Sequence, residues 1–203
     1  MKLYSFPRSS GTRIHWALEE LGVPYEYVSL DREKHEHLGA EYRAINPNGK
    51  VPALVDDGER LFESIAILIY LGDKYGVEKG LWPSQPGARA EALSWTVWST
   101  TELGAFGLQY AYHGLDTPVS YAKEQRSRAT AEFNSKMLER ALGVLEARLQ
   151  GREYILDRFT LADLANASVL RFLTMLGLPL EGHSNVQAWL KRCSSRPALE
   201  RVK

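Results

Sequence analysis

Apolar and polar positions follow one rhythm in the first third of the 203-residue chain and another in the remainder. Lys2 to Phe6 is short and apolar-rich, and Pro7-Arg8-Ser9-Ser10 reads as the loop after it. From Thr12 to Leu21 the apolar residues Ile14, Ala17, Leu18 and Leu21 recur at helical spacing, and Gly22 ends the run. Tyr25 to Leu30 reads as a second strand, so strand, helix and strand form a βαβ unit with parallel strands. The polar stretch from Asp31 to Ile45 is expected to be irregular. Val51 to Val55 and Arg60 to Phe62 then read as a hairpin around Asp56-Asp57-Gly58, and Ile65, Leu68, Ile69 and Gly72 form a helical stripe. The order βαβ then ββα predicts a small mixed sheet with helices on its faces.

Two prolines and two glycines interrupt the periodicity between Val77 and Gly87, the best candidate linker. Beyond it only helices are predicted. The first runs from Ala88 to about His113, with Leu93, Val97, Thr101 and Leu108 near one face. The second covers Ser120 to Leu149. A third opens at the capping box Thr160-Leu161-Ala162-Asp163, and a fourth spans Asn185 to Arg196, where Pro197 stops it.

Composition narrows the function classes. A hydrophobic fraction of 44% suits an ordinary packed core, and 25 Lys plus Arg balance 25 Asp plus Glu. No global field therefore favours nucleic acid or an anionic membrane. No apolar run approaches the roughly 18 residues that a spanning helix needs. Pro7 and Arg8 interrupt the N-terminal stretch before a signal-like apolar core forms, so a cytoplasmic protein is expected. The single cysteine, Cys193, excludes an intrachain disulfide and is no metal site alone; it reads as a small core residue.

The chemistry concentrates between Asn46 and Leu71. Pro52 lacks a ladder donor and belongs at a strand start or an edge. Glu63-Ser64 lies where a strand hands over to a helix, and free N–H groups at a helix start favour an anion. Together they can hold a small peptide-like anion. Each feature read alone has a plainer meaning: an edge-strand proline, and an N-cap serine with an acidic neighbour.

The segments NPNGKVPALVDDG, ESIAILIYL and FTLADL resemble those of the cytosolic glutathione S-transferases, and the resemblance covers essentially the whole chain. It implies an α/β, thioredoxin-like N-terminal domain (βαβ-ββα) over residues 1–76, a linker over 77–87 and an all-α helical domain over 88–203. It also implies a cis Val51–Pro52 bond, with the N–H and C=O of Val51 free to pair with the cysteinyl backbone of glutathione. Ser64 would take the γ-glutamyl carboxylate and Glu63 the amine beside it. Lys50 and His37 match positions directed at the glycyl end, although a surface lysine and an exposed helix histidine read equally simply. No extra contact is assigned to Ile65.

The loop Arg8-Ser9-Ser10-Gly11 is similar to the serine motifs of the theta, delta and zeta classes. That similarity puts the catalytic serine at Ser9, with Ser10 as the alternative; two helix-capping serines are the plainer reading. No cysteine stands at either position, so a protein thiolate is not expected. Tyr4 is expected in the core or behind the site. The acceptor, a small hydrophobic electrophile, is expected between the domains against Trp98, Phe106 and Tyr110, with Trp95 and Tyr112 nearby and at least half of these aromatics building core. Asp163 reads as structural.

The resemblance implies glutathione as co-substrate, no metal, no nucleic-acid or membrane partner, and a homodimer. Two other outcomes share the sequence: a glutathione-dependent isomerase or peroxidase on the same site, and an interaction module without turnover. Gly11 departs from the zeta pattern, which has cysteine there, and intact ligand-binding groups argue against a pure scaffold.

Overall fold

The computed structural model describes residues 1–202 and divides into two units, Met1–Ala90 with the tail from Arg196, and Glu91–Ser195. In the first unit the order is β1 (Lys2–Ser5), α1 (Thr12–Leu21), β2 (Glu26–Ser29), α2 (Ala40–Arg43), β3 (Ala53–Asp56), β4 (Glu59–Phe62) and α3 (Ser64–Leu71). The sheet runs β2-β1-β3-β4, with β1 parallel to β2 and the other two pairs antiparallel. Leu3 lies opposite Tyr27 on one side and Leu54 on the other. Alternation along β1 buries Leu3 and Ser5 on one face and leaves Lys2 exposed. Ile14, Ala17, Leu18 and Leu21 of α1 and Ile67, Leu68 and Leu71 of α3 complete the core.

The hairpin turn is tighter than the sequence suggested. Asp57 and Gly58 both have positive φ, 50° and 87°, the requirement of a two-residue turn matched to strand twist, so Asp56 closes β3. That strand also begins later than expected, at Ala53, because Pro52 has no N–H to give a ladder. Within the irregular stretch lie a 3₁₀ turn at Glu36–Leu38 and the short α2. The tail adds α9 (Pro197–Glu200), where Pro197 opens a helical turn rather than merely ending the helix before it. Arg196 pairs with both carboxylate oxygens of Glu20, at 2.7 Å each.

The second unit is helical: α4 (Pro86–Trp98), a π-helical segment (Ser99–Gly104), α5 (Ala105–Gly114), α6 (Arg128–Leu149), α7 (Leu161–Met175) and α8 (Ser184–Ser194). The single helix expected from Ala88 to His113 is thus helical throughout but interrupted by the wider π turn. Its buried stripe is Ala92, Thr96, Ser99, Leu103, Gly107 and Ala111, not the apolar set expected; Val97 is exposed. Size decides this face. A Cβ on Gly107 would come within 2.3 Å of Leu173 Cδ1, so α7 packs directly on backbone. The buried hydroxyls turn inward onto their own helix, Thr96 to Ala92 O and Ser99 to Thr96 O, both at 2.7 Å.

The helix expected from Ser120 starts eight residues later. Ser127 is its N-cap, accepting from the Thr130 N–H, while the Ser120 hydroxyl donates to Ala111 O at 2.8 Å. At α7 the capping box is present, and Asp163 extends beyond it. Fully buried, its carboxylate accepts from the N–H groups of Ile155 (2.8 Å) and Thr160 (2.9 Å), from the Thr160 hydroxyl and from Trp189 Nε1 (2.9 Å). Burial pushes this carboxyl up, against the pull of those four donors. Cys193 is fully buried beside Trp189 on the core face of α8.

Candidate functional site

Ser9 occupies the loop that feeds α1. Its hydroxyl donates to Phe6 O at 2.8 Å, its oxygen accepts the Gly11 N–H at 3.1 Å, and Ser5 Oγ lies 3.0 Å away. The oxygen is therefore fixed at the N-terminus of a helix, while its hydrogen can be redirected by rotation about one bond. Ser10 is exposed and donates to Val51 O at 3.1 Å. The loop is thereby tied to the strand edge 41 residues away. Arg8 holds a positive φ of 59°, a conformation that non-glycine residues rarely adopt. Tyr4 is half-buried against Tyr42, with ring centroids 6.0 Å apart.

The Val51–Pro52 bond is cis. The sequence suggested that both polar groups of Val51 stand free, and the structure corrects half of this: the carbonyl already accepts from Ser10. A carbonyl has two lone pairs, so a second donor can still join it. The Val51 N–H makes no bond among the described residues. Just before it, Lys50 O is held by the Tyr42 hydroxyl at 2.6 Å and by Asn46 Nδ2 at 2.5 Å. Burial pushes the Tyr42 phenol up to about 12, which keeps it a neutral donor. The Lys50 side chain is exposed.

The helix-start feature lies on α3. Glu63 precedes it with φ 66° and ψ 115°, a strained backbone for a side chain other than glycine. Ser64 is buried, and the N–H groups of the first turn have no helical acceptor. Into this place reaches Arg13 of α1, whose Nη1 lies 3.4 Å from Ser64 Oγ. Its Nε is buried without a hydrogen-bond partner and it forms no ion pair among the described residues. Burial pulls the guanidinium down to about 10. The sequence reading missed Arg13 because nothing local marks it; only the packing of α1 beside α3 does.

His37 is half-buried in the 3₁₀ turn, edge-on to Phe6 at 5.2 Å, rather than exposed on a helix. Of the aromatics, Trp98 and Phe106 share a cleft of about 420 Å³ with Met137, Arg140 and Val144, while Tyr110 lines a different one of about 360 Å³. Trp95, Trp98, Phe106, Tyr110 and Tyr112 are all half-buried, so none belongs to the core as expected for at least half. Among the described residues no group of three or more His, Cys, Asp or Glu is placed to hold a metal ion, and no helix is long and apolar enough to cross a membrane.

Comparison with known proteins agrees with this geometry. A family model described as the glutathione S-transferase N-terminal domain matches residues 1–73, and the corresponding C-terminal-domain model matches residues 109–197. The chain is 35% identical over 189 residues to glutathione S-transferase GstB of Escherichia coli K12, covering 91% of this chain and 88% of that one. It is 33% identical over 173 residues to mouse glutathione S-transferase theta-1, covering 84% and 72%. Among solved structures, a glutathione transferase from Burkholderia graminis, with two glutathione molecules bound per subunit, superposes with a TM-score of 0.86 at 34% identity, covering 98% of this chain and 85% of that one.

Proposed function

The chain belongs to the glutathione S-transferase family, and from that premise we propose that it binds glutathione and transfers its thiolate to a small hydrophobic electrophile. The reading rests on one observation above the others: the Ser10–Val51 bond, which sets the Ser9 loop against the cis-proline edge. A peptide backbone adding to that edge through the Val51 N–H carries its cysteinyl sulfur toward the start of α1. In this reading the γ-glutamyl carboxylate lies at the start of α3, against Ser64 and Arg13, with the amine on Glu63. Lys50 and His37 serve the glycyl end.

A free thiol has a pKa of about 8.5, so only a few per cent is thiolate at neutral pH. A hydroxyl hydrogen bond to a charged group is worth about 1.5–3 kcal/mol, equivalent to about 1–2 pKa units. Ser9 supplies that donor by turning its hydrogen from Phe6 O to the sulfur. The adjacent helix N-terminus adds its dipole. Nothing else is asked of the protein than to stabilise the anion and hold both reactants. The working form in this reading is a cytoplasmic homodimer, to be checked by light scattering.

Retention on immobilised glutathione, followed by turnover of a chlorodinitrobenzene-type electrophile, tests the function. Retention with turnover supports it. Retention without turnover points to an isomerase or peroxidase on the same site, and failure to bind glutathione in solution rejects it.

A further inference from the structure

Behind Ser9 lies a second hydroxyl. Ser5 ends β1, is fully buried, and places its Oγ 3.0 Å from Ser9 Oγ and 3.2 Å from Phe6 O. Ser9 Oγ in turn lies 2.8 Å from the same carbonyl. Three oxygens thus share two hydroxyl hydrogens, and the Gly11 N–H occupies one lone pair of Ser9 at 3.1 Å. The space for Ser5 is reserved by the chain itself: a Cβ on Gly11 would fall 1.8 Å from Ser5 Oγ. No other residue type fits at Gly11 while this hydroxyl remains.

We infer that Ser5 is a positioning residue for the thiolate donor, holding Ser9 Oγ in place and taking over its hydrogen-bond partners when Ser9 turns to sulfur. This rests on Ser9 being that donor. In the resting loop Ser9 donates to Phe6 O. When its hydrogen leaves for a thiolate, the part-buried Phe6 O loses its shorter bond, and such a loss opposes the rotation. Ser5 removes that opposition, because its own hydrogen reaches Phe6 O or Ser9 Oγ without moving the chain. Donation to Ser9 Oγ also polarises the Ser9 hydroxyl and strengthens its bond to the anion. No proton changes owner in either arrangement.

Three titratable groups lie on or next to residues of the cluster. The Tyr27 phenol interacts with the Ser5 hydroxyl and is raised by burial, so it stays neutral. His15 stacks on Tyr27 at 4.9 Å, and His37 meets Phe6 edge-on at 5.2 Å. All three remain in a Ser5 variant, so a change in the thiol titration reports the lost hydroxyl.

The test is a cycle of Ser5→Ala, Ser9→Ala and the double variant, read as the pKa of enzyme-bound glutathione from its thiolate absorbance and as kcat/KM against pH. Ser5→Ala is expected to raise the bound thiol by about half a unit to one unit and to lower kcat/KM at neutral pH by about threefold to tenfold, the scale of one neutral hydrogen bond. In the Ser9→Ala background it should add nothing, because the two hydroxyls act as one unit. Should Ser5→Ala not fold, Ser5→Cys fills the same space with a weaker donor and is read the same way. A purely structural Ser5 would lower thermal stability, raise the glutathione KM or add its loss to that of Ser9→Ala, with the thiol pKa unchanged; any of these overturns the inference. If Ser9→Ala itself leaves the thiol pKa unchanged, the Ser9 assignment fails first, and that result is distinct from an effect of Ser9→Ala without one of Ser5→Ala.

Discussion

The guanidinium of Arg13 stands 3.4 Å from the hydroxyl of Ser64, a half-buried cation at the positive end of a helix with no carboxylate partner among the described residues. Two like electrostatic features meet there, and a ligand carboxylate relieves both. Arg13→Ala and Ser64→Ala should therefore raise the glutathione KM, by about tenfold to a hundredfold for the charged partner and less for the hydroxyl. The thiol pKa and the electrophile KM should change little. Isothermal titration with glutathione and with its desamino analogue checks this: Arg13→Ala should weaken both equally, because it meets the carboxylate and not the amine.

Asp56 gives the first unit an acid-sensitive anchor. Burial works to raise its carboxyl, but hydrogen bonds from Lys74 (2.8 Å), Tyr75 (2.7 Å) and Tyr70 (2.9 Å) outweigh it and hold the group below 3.8. A depressed folded value means that the stability is present above the unfolded value and is lost as pH falls through the folded one. The melting temperature should thus drop below about pH 4, and Asp56→Asn should flatten that drop while costing stability at neutral pH. Thermal melts across acid pH measure it.

Asp163 serves the second unit without touching chemistry. Its carboxylate satisfies two backbone N–H groups and the Trp189 indole in a fully buried place. Asp163→Ala leaves these three N–H donors unmatched, at about 1–3 kcal/mol each, besides freeing the Thr160 hydroxyl, a loss of several kcal/mol well beyond the usual cap penalty of about 1. Denaturant unfolding should show this loss, and Asp163→Asn a smaller one.

Most of the fold was legible because hydrophobic period speaks for the strands, for α1 to the residue, and for α7 through its box. The small-residue stripe of Ala92 to Ala111 was not, since glycine and serine carry no apolar signal and are buried for their size. The ligand-binding candidates Pro52, Glu63 and Ser64 were readable as motif positions. Arg13 and Ser5 were not, because each acquires its meaning from a neighbour more than two residues away: Ser64 across the helix pair, and Ser9 across the loop. Tyr110 was grouped with Trp98 and Phe106 by nearness in sequence, yet one turn of helix carries it to another cleft.

That separation is itself testable. If the Trp98–Phe106 cleft takes the hydrophobic acceptor, Trp98→Ala and Phe106→Ala should raise the electrophile KM by about tenfold, the loss of one aromatic contact surface. Tyr110→Ala should leave it unchanged. Steady-state kinetics with the electrophile varied at saturating glutathione distinguish the two.

Thiolate formation in this site turns on the Ser9 hydroxyl, and ultraviolet titration of enzyme-bound glutathione reads its effect. The wild-type protein should hold the thiol about 1–2 units below its free value, and Ser9→Ala should return it most of the way, with Ser10→Ala, which only unties the loop from Val51, giving a smaller shift. A bound thiol that titrates alike in the wild-type and Ser9→Ala proteins would contradict the account.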